Sequence, residues 1–435
     1  MRICVITSGH LATCPRMVKA ADALAQAGHT VRIVSTQFID WAADADHGIR
    51  GRWGGPPGPL GTPTSRFPVE ELAPVPRPPF PSWSTVDYRR RTAPATYWKT
   101  RLEFHAARRW VGLVGPDRVP LATLAAANGR ASRDLLKLAL AQPADLFYGG
   151  TSGGLAIAAL ASRRTGAPYG IDLEDFHEGQ FEGGRECGRP RALIRALQHE
   201  VLPAAAFVTA GSAAIAAQYE QAYGIPVLPI HNTFPLPAEA PDPEPPGNGA
   251  LRLYWFSQTV GSGRGLEDVA RAIALAGIPA ELHLRGSARP EYVAALHRLA
   301  PGKLAIYAHP PAPPGQMVEL TRPYDVGLSG EEGRVLNHKL CLGNKALTYI
   351  LGGLAVVLTD TLGHRPFAAD LGEGALCYRS GDIASLADGL RRWATDRRLL
   401  RRARQAAWNA ARRRWHWEDR REKGALLAAV EGALP

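Results

Sequence analysis

Cysteine is scarce in this chain: Cys4, Cys14, Cys187, Cys341 and Cys377 are the five among 435 residues. No two form a Cys-x-x-Cys pair and no Cys/His spacing fits a zinc module, so zinc sites and a disulfide framework are not expected. That usage reads as a reducing cytosol, which predicts a cytoplasmic protein. Long apolar runs are also missing. The first apolar stretch, residues 3–6, is too short for a signal-peptide core. No run approaches the ~18 apolar residues of a bilayer-spanning helix. General disorder is excluded in turn, because hydrophobic residues make up 46% and charged residues 21%. A chain of this length buries a sizeable core and divides into two or three domains.

Positive charge is what the chain has in excess. Lys and Arg total 51 against 40 Asp and Glu, a formal charge of +11. Such a balance favours anionic partners: phosphates, nucleic acid or an acidic membrane surface.

Strand and helix patterns alternate along both halves. ICVIT (residues 3–7) reads as a buried strand. A helix follows, with Pro15 in its first turn and Gly28 just past its end, and then the strand VRIVS (31–35). Strand–helix–strand units of this kind build a parallel sheet. Strands are expected again at 146–148, 169–173, 206–210 and 227–231, with helical material over 97–142. Residues 51–81 carry ten prolines and read as a long loop or insertion. PLPAEAPDPEPPGNG (235–249) reads as a linker. The alternation then restarts with LRLYWF (251–256), AELHL (280–284) and strands at 305–307, 326–328 and 355–358. The fold class is therefore α/β, with two halves of similar size.

Two segments of the second half suit an anion. Gly261, Gly263 and Gly265 surround Arg264 in a strand-to-helix turn, where backbone N–H groups and a forked guanidinium can grip phosphate. Further on, Asn344 is placed to cap a helix ending at Gly352-Gly353. Lys345 then lies in its first turn, against the helix dipole, at a cost of ~0.3–1 kcal/mol that a bound anion would offset. In the first half, an acidic cluster containing Glu174, Asp175 and His177 follows a strand, and Gly9-His10 follows the first strand. Carboxyl ends of strands are where open α/β sheets bind ligands. From Arg391 to Arg421 the chain holds 12 arginines and four tryptophans. This stretch reads first as a solvated helix whose tryptophans pack on the body, then as a membrane-surface contact. Nucleic acid is disfavoured, because no recognisable binding module accompanies the charge.

Four segments carry a resemblance, the last being Trp415-His416-Trp417-Glu418, which resembles a terminal helix that crosses back to the first domain. ICVITSGHLATCPRMVKAADALAQAGHTVRIVS, WFSQTVGSGRGLEDVARAI and LCLGNKALTYILGGLAVVLTDT resemble the GT-B nucleotide-sugar glycosyltransferases, retaining glycosyltransferase family 4 above all. The resemblance implies two Rossmann-like domains facing across a cleft, with a C-terminal helix crossing back to the first. Residues 1–235 would bind the acceptor, 236–250 link, 251–405 bind the donor, and 406–435 return. It implies a nucleoside-diphosphate sugar donor and sugar transfer with retention. Arg264 and Lys345 would hold the diphosphate as catalytic cations with Glu174 and His177, and no cofactor or metal is expected. Donor contacts would come from Gly261, Gly263, Gly265, Glu331, Glu332, Asn344, Thr348 and Thr361. Acceptor contacts would come from Gly9, His10 and Asp175. The acceptor would be a small molecule, a saccharide or a lipid-linked saccharide, the last with peripheral contact at an anionic inner membrane face. The family's pair of glutamates with seven residues between them is missing: its positions correspond to Leu340 and Thr348. That departure keeps two other readings open, a GT-B epimerase or hydrolase and a non-catalytic nucleotide-sugar binder.

Overall fold

The computed structural model describes residues 1–53, 79–181, 185–244 and 249–434. The first domain is built on β1 (Arg2–Thr7), β2 (Thr30–Gln37), β3 (Ser82–Asp87), β4 (Leu146–Gly150), β5 (Tyr169–Leu173), β6 (Phe207–Ala210) and β7 (Leu228–Pro229). Their spatial order is β3-β2-β1-β4-β5-β6-β7. The second domain is built on β8 (Leu251–Val260), β9 (Ala280–Ala288), β10 (Leu304–His309), β11 (Val326–Ser329), β12 (Ala355–Thr359) and β13 (Ala375–Tyr378). Here the order is β10-β9-β8-β11-β12-β13. All neighbours in both sheets are parallel. Parallel neighbours need crossover connections, and helices on both faces make the inner strands apolar throughout. β4, β5 and β12 are buried at every position.

Each sheet reverses its winding beside its first strand, between β1 and β4 and between β8 and β11. The helix Thr151–Thr165 crosses the first of these points very closely. A Cβ on Gly154 would lie 2.9 Å from the carbonyl oxygen of Ile6, so glycine is what lets helix and strand touch. Beside it Thr151 adopts φ +60°, a left-handed conformation costly for a β-branched residue. Its hydroxyl accepts from the Ser8 amide at 3.0 Å, tying the ends of β1 and β4 together.

Among the elements that went unread in the sequence are β3, β13 and the helix Asp40–Arg52. β3 is a short, polar strand at the sheet edge directly after Pro81, where period-2 patterning is weak. Of the proline-rich stretch between that helix and β3, residues 54–78 lie outside the described residues.

The chain returns to the first domain later than the 406 boundary expected. Residues 406–413 continue the helix Arg397–Arg413, whose Ala407, Trp408 and Ala411 are buried in the second domain's core. The crossing occurs at Trp415–Trp417. Trp415 packs edge-on against Phe367 of the second domain and against His231 of the first, at 4.9 Å in each case. Trp417, Leu426 and Val430 then join the core around β1 and the helix Pro15–Gln26. Glu422 fastens this crossing. Its buried carboxylate accepts from the His231 backbone amide, from His231 Nδ1 at 3.0 Å and from Arg414 Nη1. Burial pushes its pKa up, but the His231 and Arg414 contacts outweigh it and hold the carboxyl below its ordinary value.

Glu422→Ala takes the close carboxylate from Arg414 and leaves it only the longer contact to Asp419, at 3.9 Å. Losing one member of a buried pair costs about 3–5 kcal/mol. The expected outcome is a lower denaturation midpoint of that order. An unchanged midpoint would mean that Glu422 does not hold the two domains together.

Candidate functional site

Two loops of the second domain meet at its winding reversal. Gly265, at φ +74°, closes the loop after β8, and a Cβ there would sit 2.5 Å from the carbonyl oxygen of Gly330. Only glycine permits that approach. It brings Arg264 beside Glu331, with Nη1 2.6 Å from Oε2. From the first turn of the helix Asn344–Leu351, Lys345 Nζ reaches the other carboxylate oxygen, Oε1, at 3.0 Å. The Glu331 backbone carbonyl is held by the Thr359 hydroxyl at 2.8 Å. Burial would raise the Glu331 pKa, but Lys345 and Arg264 dominate and hold it at about 2. A carboxylate thus lies clamped between two cations. Around them Ser329 Oγ, Trp255 Nε1 and His364 Nε2 are buried without a hydrogen-bond partner among the described residues. Unmet polar groups in such a cluster favour a polar ligand. His364 donates through Nδ1 to the Thr359 carbonyl at 2.9 Å, and burial lowers its pKa, so Nε2 is an acceptor.

A cavity of about 300 Å³ lies between the domains. Glu174, Asp175 and Asn232 line it from the first, and Ser257, Asn344 and Lys345 from the second. Glu174 follows β5, is half-buried, and has no hydrogen-bond partner for its carboxylate among the described residues. Burial and the neighbouring Asp175 push its pKa up to about 7, against the partial offset of Arg16 and Lys19. Beneath it the buried Arg16 grips Asp172 in a fork, Nε to Oδ2 at 2.7 Å and Nη2 to Oδ1 at 2.7 Å. Lys19, 4.9 Å from both the Phe234 and Trp417 rings, donates to the Thr233 carbonyl. Burial and the nearby Arg16 lower its pKa to about 7.

Several expected site residues have other work. His10 is fully buried: Nδ1 donates to Asp46 at 3.2 Å, and Nε2 accepts from the Phe38 and Ile39 amides at 2.9 and 3.0 Å. An imidazole spent on both sides anchors a loop and cannot contact an acceptor. Asp46 belongs to the chain's Asp-x-Asp triplet, Asp44 to Asp46, and its carboxylate is used on His10, Gln37 and the Ala12 amide. Gly9 accepts from the Thr36 amide. His177 is buried outside the cavity lining and neither ring nitrogen has a partner among the described residues; burial lowers its pKa and keeps it neutral. Asp175 joins the domains, accepting from Asn337 Nδ2 at 3.0 Å.

In the second domain Asn344 does not cap its helix. Gly343 holds that position, and Asn344 Oδ1 accepts from Asn232 Nδ2 across the cleft at 2.9 Å. Thr348 turns its hydroxyl back onto the Asn344 carbonyl at 2.8 Å and is buried. Leu340, at the position of the family's other glutamate, is buried in the first domain's core, and its carbonyl accepts from Ser212 Oγ at 2.6 Å. An ionised carboxylate there would be desolvated without a partner. Glu332 pairs with Arg334 at 2.8 Å, outside the clamp. Thr361 accepts from the His364 amide through its hydroxyl at 3.3 Å, at the start of the helix after β12. Gly261 and Gly263 complete the loop that carries Arg264, Gly263 at φ +80°. Arg16, Lys19, Asn232 and Asn337 were not read from the sequence, because no spacing or periodicity distinguishes them.

The raised pKa of Glu174 carries a pH signature. Between its unfolded value, about 4.5, and about 7 the folded chain binds the extra proton. Stability therefore falls as pH rises through that window. Glu174→Gln should remove this fall and leave the variant more stable than wild type at pH 8, by about 1–3 kcal/mol. Denaturant unfolding at pH 5 and pH 8 measures it; identical slopes in both proteins would show that Glu174 titrates normally.

No protein-family model and no curated protein matches the sequence. Solved structures do. Sucrose-phosphate synthase from Thermosynechococcus elongatus superposes with a TM-score of 0.65 at 13% identity, over 99% of this chain and 98% of that one. HepE from Anabaena, in complex with UDP-glucose, gives 0.61 at 15% identity over 99% and 98%. A TarM variant from S. aureus, in complex with fondaparinux, alpha-GlcNAc-glycerol and UDP, gives 0.63 at 8% identity over 100% and 99%. These neighbours share the two facing parallel-sheet domains, and over its whole length this chain has the GT-B fold of glycosyltransferases.

Proposed function

We propose that the chain is a glycosyltransferase moving a sugar from a nucleoside-diphosphate sugar to an acceptor held against the first domain. One observation carries the reading: Arg264 and Lys345 converge on a single carboxylate beside an interdomain cavity. The Glu331 carboxylate occupies the place an anion would take. A diphosphate carries more charge and more acceptor oxygens than a carboxylate, and on binding it displaces Glu331 from both cations. Glu331 then turns to the sugar hydroxyls beside it.

Breaking the sugar–phosphate bond puts negative charge on the leaving diphosphate. Fixed cations stabilise that charge most where it is largest, in the transition state. Arg264 and Lys345 together bring two positive charges, and the reading assigns no metal to this step. The resemblance supports retention: the acceptor oxygen attacks from the face the diphosphate leaves, and the departing phosphate takes its proton. Glu174, poised at about 7 and facing the cavity, orients the acceptor hydroxyl as a hydrogen-bond partner. Asn232 and Asn344 bridge the same cavity. HepE was solved with UDP-glucose and a TarM variant with UDP, which supports uridine diphosphate sugars as the first donors to test. A saccharide, free or lipid-linked, suits the acceptor side, and the cysteine usage supports a cytoplasmic location.

Thermal stabilisation by UDP, GDP, ADP and TDP and their sugars tests the donor site. A ligand at 100 times its dissociation constant adds ~2.7 kcal/mol. One nucleotide series should stabilise the wild type, and Lys345→Ala and Arg264→Ala should lose the shift. Each variant should also lose about 100- to 1,000-fold in turnover, as for removal of one oxyanion donor. No shift with any nucleotide would sink the reading. Donor breakdown without an acceptor would point to a hydrolase or epimerase, and binding without turnover to a non-catalytic protein.

A further inference from the structure

The helix Pro94–Val114 turns its apolar side outward. Of its 21 residues only Thr100 and Val111 are buried. Trp98, Leu102, Trp110 and Leu113 are 50%, 69%, 55% and 74% exposed. At 3.6 residues per turn, positions 98, 102 and 113 fall within about 60° of one another, and 110 flanks them. Arg109 lies inside this stripe, with Arg101 and Arg108 along one side. No carboxylate pairs with any of these three among the described residues. Arg101 lies 5.7 Å from the Trp98 ring, and Arg108 lies 4.9 Å from the Phe104 ring. The helix has one acid, Glu103, which is spent on Arg133. The inner face is fully employed: Arg130 donates to the Tyr97 carbonyl and the Thr100 hydroxyl at 2.8 and 3.1 Å.

A chain of ring contacts, passing through the buried Tyr88, links this helix to a second exposed apolar patch. Tyr97 is 5.3 Å from Trp98, and Arg130 spans Tyr97 and Tyr88 at 4.6 and 4.8 Å. Tyr88 in turn stacks on Phe38 at 5.5 Å. Phe38, Ile39 and Trp41, at 39%, 38% and 52% exposure, follow the carboxyl end of β2, on the ligand-binding side of the sheet. Exposed tryptophan and leucine amid unpaired arginine is the composition of a helix lying in a lipid headgroup region.

We propose that this face seats the first domain on an anionic lipid surface. Trp98, Leu102, Trp110 and Leu113 enter the headgroup boundary, and Arg101, Arg108 and Arg109 meet the lipid phosphates. Charge selects this occupant: a second copy of the chain would set these arginines against their own kind. The helix lies on the surface, since no described helix is long and apolar enough to cross a membrane. The arginine-rich tail, for which this contact is the second reading of the sequence after tryptophans packed on the body, cannot make it through those tryptophans. Trp393, Trp408, Trp415 and Trp417 are 6–8% exposed and packed on the body.

Flotation of the full chain with vesicles tests the proposal independently of the chemistry in the cleft. Wild type should float with phosphatidylcholine vesicles containing phosphatidylglycerol at low salt, and should be released at high salt. Trp98→Ser/Trp110→Ser should partition at least tenfold more weakly. Arg101→Gln/Arg108→Gln/Arg109→Gln should be weaker on the order of 100-fold, at about one kcal/mol per near-surface arginine. The tail variant Arg398→Gln/Arg412→Gln should float like wild type, and circular dichroism should show all variants folded. Wild type that stays in the bottom fraction at low salt overturns the proposal, as do helix variants that float unchanged. A wild-type dimer made monomeric by Trp98→Ser/Trp110→Ser would overturn it too, by giving the face to a second copy.

Discussion

A parallel sheet wound from right-handed crossovers that changes direction once must leave two adjacent strand ends without a connection between them. This chain does so twice, between β1 and β4 and between β8 and β11. The loops at those ends carry the residues that matter. Ser8 and Thr151 meet at the first, Arg264 and Glu331 at the second. Close packing at each is bought with glycine, Gly154 under Ile6 and Gly265 against Gly330. The cavity between the domains takes its polar walls from both, Glu174 and Asp175 after β5 on one side and Ser257, Asn344 and Lys345 on the other.

Electrostatics in and beside that cavity shows how environment overrides residue type. Glu331 and Glu174 are both partly or wholly removed from water. Glu331 lies between two cations and is held at about 2; Glu174, beside Asp175, is pushed up to about 7. Burial raises both, and the sign of the neighbouring charge decides the outcome. The first is thus an anion that another anion can replace. The second carries a proton over part of the physiological range. Under the proposed function, that contrast separates a donor side from an acceptor side.

The arrangement of the domains is set by polar contacts with few alternatives. Asn337 bridges Asp175 and the Phe176 amide, Ser212 bonds the Leu340 carbonyl, and Glu422 fastens His231 and Arg414. Leu340 and Thr348 at the positions of the family's glutamates agree with this packing, since one lies in the first domain's core and the other bonds its own helix.

Local order was written in the residues themselves. Apolar runs such as ICVIT and AVVLT have no reading but buried strands. Gly261 to Gly265 could form only a tight loop, and Lys345 in a helix's first turn already marked a place for an anion. What tertiary structure decided is which side chains meet. Arg264 and Glu331 are 67 residues apart, Asp175 and Asn337 are 162 apart, and His231 and Glu422 are 191 apart. Periodicity reaches across one helix or strand, about 10–20 residues, and carries no information over such distances. For the same reason His10 read as a ligand contact although its loop buries it, and the helix Pro94–Val114 read as ordinary helix. Only the packing of its neighbours shows which of its faces is left to the solvent.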